Sequence, residues 1–249
     1  MTLNGRVSII TGSARGIGKR IAQLLASGGA AVVISDADES QAQATAREIE
    51  TDFGGKTACI PADISQIDHI HNLVNTTVRQ FERIDILVNN AGICPLNKIE
   101  DITLEEWNRV LSVNLTGVFF CCQAVMSVMK KQGSGNILNL ASIAGKIGGI
   151  AAGAHYSASK AGVICLTKVF ARAMAPFGVR VNAIAPGPVN TDMVKGFSEE
   201  SMKILVEQAP LRRIADVDDI AEAALFLVSD AAKHITGEIL DINGGLLMD

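Results

Sequence analysis

Short, β-branched apolar runs alternate along the chain with longer stretches in which apolar positions recur every three or four residues. Runs at 7–10, 31–35, 57–62, 84–89, 135–140, 179–185 and 238–242 predict strands. Helical periodicity occupies 18–28, 41–52, 67–81, 104–130, 154–177 and 217–229. Strand and helix in alternation, joined by short loops, dictate parallel βαβ units with helices on both faces of a buried sheet. No repeat and no low-complexity linker marks a boundary, so one α/β domain over 1–249 is expected. Only 190–211 breaks the alternation, with Met193, Phe197, Met202 and Leu205 scattered among charges. This stretch reads as a helical flap over a site, or as a surface helical hairpin without function.

A hydrophobic share of 48% with 23 glycines suits a covered parallel sheet and excludes a disordered chain. The net charge of −4, with no block of like charge, leaves no footprint for nucleic acid or an anionic membrane. A small-molecule partner is expected. The five cysteines (Cys59, Cys94, Cys121, Cys122, Cys165) are odd in number and lack C-x-x-C spacing, so they read as reduced, packed thiols. The N-terminal apolar run is too short for a signal-peptide core, and no stretch offers about 18 consecutive apolar residues. A cytoplasmic location is the expectation. No metal site is expected.

Directly after the first strand run comes Thr11-Gly12-Ser13-Ala14-Arg15-Gly16-Ile17-Gly18, leading into a helix. Glycines there allow a tight turn and let backbone N–H groups and the helix N-terminus approach a pyrophosphate. The second strand ends in Ser35-Asp36, where a dinucleotide fold sets an acid on the adenosine ribose. A carboxylate there suits NAD. It would oppose the 2′-phosphate of NADP by about 4 kcal/mol per charge pair before screening. Arg15 argues the other way, but position 37 is alanine and supplies no second cation.

Tyr156 and Lys160 stand four apart on a predicted helix, so they share a face, and Ser142 lies upstream. A phenol beside a fixed cation is a proton-transfer device. Bringing a tyrosine from a pKa of about 10 to near neutrality takes about 4 kcal/mol. One ammonium about 4 Å away supplies that much at an effective dielectric of about 20. His155 adjoins the acid, but adjacent helical residues do not face each other, so no catalytic role is assigned. Cys94 has no base nearby in sequence and reads as a pocket wall.

These segments, with Asn89-Asn90-Ala91-Gly92, Asn114 within Ser112-Val113-Asn114-Leu115, and Pro186-Gly187, resemble the short-chain dehydrogenase/reductase family over essentially the whole chain. The resemblance implies a doubly wound Rossmann domain with a seven-stranded parallel sheet. It implies Asp63 and Ile64 at the adenine, and Asn90, Ala91 and Gly92 on the adenosine ribose side. Pro186, Gly187, Val189 and Thr191 would hold the nicotinamide carboxamide and pyrophosphate. Asn89 and Asp85 read instead as backbone braces. By physics and kinship together, Tyr156 is the general acid or base, Ser142 binds the substrate oxygen, and Lys160 lowers the tyrosine pKa and holds the nicotinamide ribose. Asn114, at a helix distortion in the family, would anchor a water linking Lys160 to solvent.

The expected activity is hydride transfer between NAD(H), preferred over NADP(H), and a secondary alcohol or ketone. Cys94, Leu96, Ile143, Ile150, Met193 and Phe197 make an apolar substrate wall. Reduction of 3-oxoacyl thioesters on acyl carrier protein or coenzyme A ranks second, because the chain looks broadly similar to bacterial 3-oxoacyl-carrier-protein reductases. Those enzymes mostly use NADPH and dock the carrier through arginines, where this chain has Gly133 and Phe177; Lys130, Lys131 and Arg172 substitute partly. A catalytically silent dinucleotide-binding regulator is the remote alternative. Apolar residues on more than one face of 110–129 and 163–177 predict a homotetramer, the family's usual assembly.

Overall fold

The computed structural model describes residues 1–248. Among these, seven strands pair in parallel: β1 (Val7–Thr11), β2 (Ala31–Ser35), β3 (Thr57–Cys59), β4 (Ile86–Asn89), β5 (Gly135–Leu140), β6 (Val179–Pro186) and β7 (Ile239–Ile242). Their order in the sheet is β3-β2-β1-β4-β5-β6-β7. The chain thus winds outward from β1 in one direction and from β4 in the other. That reversal opens a crevice beyond the carboxyl ends of β1 and β4, where open α/β sheets bind ligands.

Period-2 alternation sends strand side chains to two cores. Ile9, Leu87, Ile137 and Val181 pack with residues of α3 (Ile67–Phe81), α5 (Val118–Gln132) and α7 (Ala154–Met174). Ile10, Val88, Leu138 and Ile184 pack on the other face with α1 (Gly16–Ser27), α2 (Glu39–Phe53) and α9 (Val217–Val228). Both faces are covered, which is why the strand runs carry so few polar interruptions.

The structure departs from the expected elements in β3, in the helix expected over 104–130 and in one added short helix, while 190–211 is helical as expected. β3 ends at Cys59 rather than 62 because Pro61 has no N–H to give, although Ile60 and Ala62 still donate to Ile34 and Asp36 of the neighbouring segment. The helix expected over 104–130 divides into α4 (Leu104–Leu111), a π-helical turn Ser112–Gly117, and α5. The 190–211 stretch holds a short 3-10 turn, Val194–Gly196, then α8 (Glu199–Gln208), whose N-terminus is capped by the Ser198 side chain accepting from the Ser201 N–H. One further helix, α6 (Ala144–Ile147), follows β5.

By length and mean hydropathy the 29-residue run Leu104–Gln132 passes for a membrane span, although charged residues interrupt it. Here it lies against α3, α7 and the sheet. Of the cysteines, Cys121 and Cys122 are buried, Cys59 and Cys94 half-buried, and all five are free thiols. Cys165 corrects the expectation of packed thiols: it faces outward from α7 because its helix presents that side away from the core.

Candidate active site

At the carboxyl ends of the strands lies a cavity of about 820 Å³. The glycine loop forms one wall. Gly12 has φ +63°, and a Cβ there would lie 2.6 Å from the Ala91 Cα, so only glycine fits between the loops after β1 and β4. At Gly16, φ +58°, a Cβ would meet the Thr191 methyl at 3.7 Å, an ordinary contact, so it is the backbone conformation that favours glycine there. No side chain caps the α1 N-terminus and no acid occupies its first turn. Its orphan N–H groups therefore offer an anion site. A concave wall, an uncapped helix and a glycine loop together fit the pyrophosphate of a dinucleotide.

Arg15, Ile17, Asp63, Ile64 and Asp36 line the same cavity. Asp36 is fixed there: its Oδ2 accepts the Ala14 N–H at 3.1 Å and its Oδ1 the Asp38 N–H at 3.2 Å. Arg15 turns toward Asp192, 3.8 Å away, with both side chains exposed. An ion pair so open to solvent holds the guanidinium only weakly. Asn90, Ala91 and Gly92 follow β4 into the cavity. The Asn90 side chain, however, donates to the Thr11 and Gly12 carbonyls at 3.0 and 2.7 Å, bracing the glycine loop. Pro186, Gly187, Val189 and Thr191 line the cavity beyond β6.

Of the predicted catalytic and cofactor-binding residues, two lie outside that lining. Gly18 packs under the loop, where a Cβ would sit 2.3 Å from the Gly12 oxygen, so its contact is with the loop. Asn114 is fully buried inside the π-helical turn. It accepts the Ile93 N–H at 2.9 Å, donates to the Ile93 carbonyl at 2.9 Å, and donates to Ser159 Oγ at 3.2 Å. The widened turn frees it to satisfy both backbone groups of Ile93. Gly92 lies between it and Lys160: a Cβ there would be 3.4 Å from Asn114 Oδ1 and 3.7 Å from Lys160 Nζ.

Ser142, Tyr156 and Lys160 converge on one side of the cavity. The serine hydroxyl is near enough to the phenol to favour its ionisation and accepts the Ala144 N–H at 3.1 Å. The Lys160 ammonium stands 5.7 Å from the tyrosine ring centroid and donates to the Leu140 carbonyl at 2.6 Å. Burial pushes the Tyr156 phenol up from its ordinary value; Cys94 adds to the rise and the Ser142 hydroxyl opposes it. Burial brings Lys160 down to about 8. This corrects the expectation of a tyrosine poised near neutrality. Desolvation dominates, so burial holds the proton on the phenol.

Cys94, Ile143, Ile150, Met193 and Phe197 line the cavity. Leu96 sits instead beside the flap, 3.0 Å from where a Gly196 Cβ would lie. The sequence reading missed Ile147 and Leu246, contributed by α6 and the C-terminal tail, whereas Leu205, named in the flap, reaches the cavity from α8. The Cys94 thiol is held up at about 11 by burial, against the Lys160 charge and the Gly153 backbone, so it is an inert wall. Asp85 braces backbone, accepting the Val7 N–H at 2.8 Å. Asn89 does not: it donates to Asn139 Oδ1 at 2.8 Å in the core. His155 is fully buried and turned from the cavity, its Nε2 2.7 Å from Glu106 Oε1 and its Nδ1 accepting the Tyr156 N–H at 2.8 Å. Among the described residues no cluster of metal ligands occurs.

A family model described as Enoyl-(Acyl carrier protein) reductase matches residues 12–247. The chain is 42% identical to a 3-oxoacyl-[acyl-carrier-protein] reductase of Synechocystis over 99% of its length and 98% of the relative's. The chain belongs to the short-chain dehydrogenase/reductase family. A 3-oxoacyl-[acyl-carrier-protein] reductase FabG of Vibrio cholerae is 41% identical, with each chain covered in full. A short-chain type dehydrogenase/reductase of Mycobacterium marinum superposes with a TM-score of 0.93 at 34% identity, covering 100% of this chain and 98% of the other. As a short-chain dehydrogenase/reductase, the chain is an oxidoreductase that interconverts ketone and secondary-alcohol groups with a nicotinamide dinucleotide.

Proposed function

We propose that the chain reduces the 3-oxo group of acyl thioesters and prefers NADH. This reverses the order drawn from sequence, where a general alcohol dehydrogenase ranked first. The relatives named above, about 41% identical over nearly full length, support the reversal. The observation that carries the reading is the pairing of Tyr156 and Ser142 inside a cavity whose outer wall is apolar, with Ile147, Ile150 and Met193 nearly half exposed at its mouth. Such a wall accepts an acyl chain.

When bound, the dinucleotide supplies the hydride that goes to the ketone carbon. As negative charge develops on the ketone oxygen, Tyr156 gives it the phenolic proton while Ser142 hydrogen-bonds and orients it. The high resting pKa of Tyr156 keeps the proton in place beforehand. Lys160, adjacent in the cavity, stabilises the phenolate left behind and holds the nicotinamide ribose. Asn114, across Gly92 from Lys160, anchors the water through which the proton is replaced. Asp36, fixed by two backbone N–H groups, accepts from the adenosine ribose and repels a 2′-phosphate. The 190–211 flap closes over the acyl chain.

The assembly is a homotetramer. In support, the strongly apolar stretch within Leu104–Gln132 is only 39% buried inside one chain, and Val169 of α7 is 50% exposed. Five free thiols accord with a reducing, cytoplasmic compartment. Acyl carrier protein is a less favoured partner than a coenzyme A thioester. Lys130 lies over the Phe177 ring at 4.6 Å, beside Gly133, but this edge is about 27 Å along α7 from Tyr156 of the same chain. Initial rates on acetoacetyl-coenzyme A, against a panel of polyols and simple ketones, test the reading. Faster turnover of the thioester is expected; turnover confined to the panel would return the alcohol-dehydrogenase reading to first place.

A further inference from the structure

The first N–H groups of a helix have no intrahelical acceptor, and where they are buried something else must accept from them. At the start of α7 the N-cap is Gly153, which has no side chain to do so. The N–H of Tyr156 is nonetheless satisfied, by the imidazole of the residue before it, at 2.8 Å. An amide nitrogen only donates, so His155 Nδ1 must carry a lone pair. The ring proton then resides on Nε2, which donates to Glu106 Oε1 at 2.7 Å. The tautomer is fixed by its two partners.

The ring's surroundings tie it to the cavity wall. A Cβ on Gly153 would stand 2.5 Å from the imidazole Cε1 and 3.2 Å from the Pro95 carbonyl, so the ring folds back over a position only glycine can occupy. The Gly153 backbone also lies close enough to the Cys94 thiol to favour its ionisation. Glu106, near the start of α4, receives Asn97 Nδ2 as well, and its own N–H is held by the N-cap Thr103 at 3.2 Å. His155 is thus the buried pin joining α4, the loop Cys94 to Asn97, and the first turn of α7.

We propose that His155 is a positioning residue for the reduction: through Nδ1 it fixes the backbone of Tyr156, and through Nε2 it locks that turn to Glu106, which sets where the phenol stands beside Ser142. The proposal rests on the reading of Tyr156 as the general acid. It accounts for a buried histidine and a carboxylate on a half-exposed helix that the hydride-transfer chemistry does not itself use. Displacing a proton donor by a fraction of an ångström to an ångström lowers turnover without weakening cofactor binding.

The test compares His155→Asn, whose Oδ1 takes the place of Nδ1, with His155→Gln, whose amide reaches toward Glu106 but cannot accept from the Tyr156 N–H. His155→Asn, which keeps the link to the Tyr156 N–H and gives up Glu106, should lower kcat for acetoacetyl-coenzyme A reduction by no more than about 10-fold, while His155→Gln lowers it further, to roughly 30- to 100-fold. KM for NADH should stay within about 2-fold in both. Glu106→Ala, on a partly exposed side chain, should lower kcat about 3- to 10-fold and decides the matter if the His155 variants do not fold. Equal losses in the Asn and Gln variants would reduce His155 to packing and overturn the proposal. So would wild-type kcat in both His155→Gln and Glu106→Ala. Tyr156→Phe, measured alongside, separates the two levels: if it is inactive while His155→Gln and Glu106→Ala are fully active, only this proposal falls. If Tyr156→Phe still turns over, the acid assignment falls and takes the proposal with it.

Discussion

Replacing Lys160 by methionine turns the site's electrostatics into a stability measurement. Lys160 is 4% exposed, and burial lowers its pKa from 10.5 to about 8. The unfolded chain holds that proton up to its ordinary pKa, whereas the folded chain releases it near 8. Between those values the unfolded state binds more protons, so this group makes the folded protein more stable as pH rises. At 1.36 kcal/mol per pKa unit the full effect is roughly 3 kcal/mol, and about 2 kcal/mol of it falls between pH 7 and 9.5. Cys94 and Tyr156, both pushed up, titrate in the opposite sense at higher pH, but both variants contain them. The quantity to follow is therefore the difference between wild type and Lys160→Met. Urea unfolding of both proteins at one protein concentration, at pH 7 and 9.5, should show the wild type gaining about 2 kcal/mol relative to the variant. A difference that stays flat to about 0.5 kcal/mol would mean that the ammonium is not desolvated in the folded chain, and the reasoning would fail.

Asp36→Ala should raise the ratio of kcat/KM with NADPH to that with NADH by about 10-fold or more, since a close charge opposition worth several kcal/mol disappears; an unchanged ratio in side-by-side assays would remove Asp36 from nucleotide choice. Asn114→Leu leaves the Ile93 N–H and carbonyl without their partner, so thermal or urea unfolding should report a loss of about 2–4 kcal/mol. The same variant should also lose kcat if it interrupts proton replacement, and wild-type turnover in folded Asn114→Leu would remove the relay. Light scattering at micromolar protein should return the mass of four chains; a monomeric mass would dispose of the tetramer.

Much of the architecture was legible because its causes are local. Runs such as Val32, Val33 and Ile34 are apolar on both faces, and only a doubly covered parallel strand uses them so. The glycine loop was legible because Gly12 and Gly16 sit at positive φ, a demand that sequence spacing preserves. What escaped depends on distance along the chain or on solvent. Glu106 and His155 are 49 residues apart, and nothing in either neighbourhood announces the other. Leu246 reaches the cavity from the tail, which periodicity cannot orient. The direction of the Tyr156 pKa was missed because helical spacing supplies a distance to Lys160 but not the desolvation of both groups. Even β3 ran short for a reason written in the chain, the missing N–H of Pro61, whose neighbours still pair with β2 and the residue beyond it.

The most direct test of the central claim is a product-resolved turnover of acetoacetyl-coenzyme A with NADH, comparing the wild type with Tyr156→Phe. The wild type should form one 3-hydroxybutyryl thioester for each NADH oxidised, and the phenylalanine variant should fall by about 1000-fold or more while still binding NADH. Comparable product from both proteins, or NADH oxidation without the hydroxy thioester, would contradict the account.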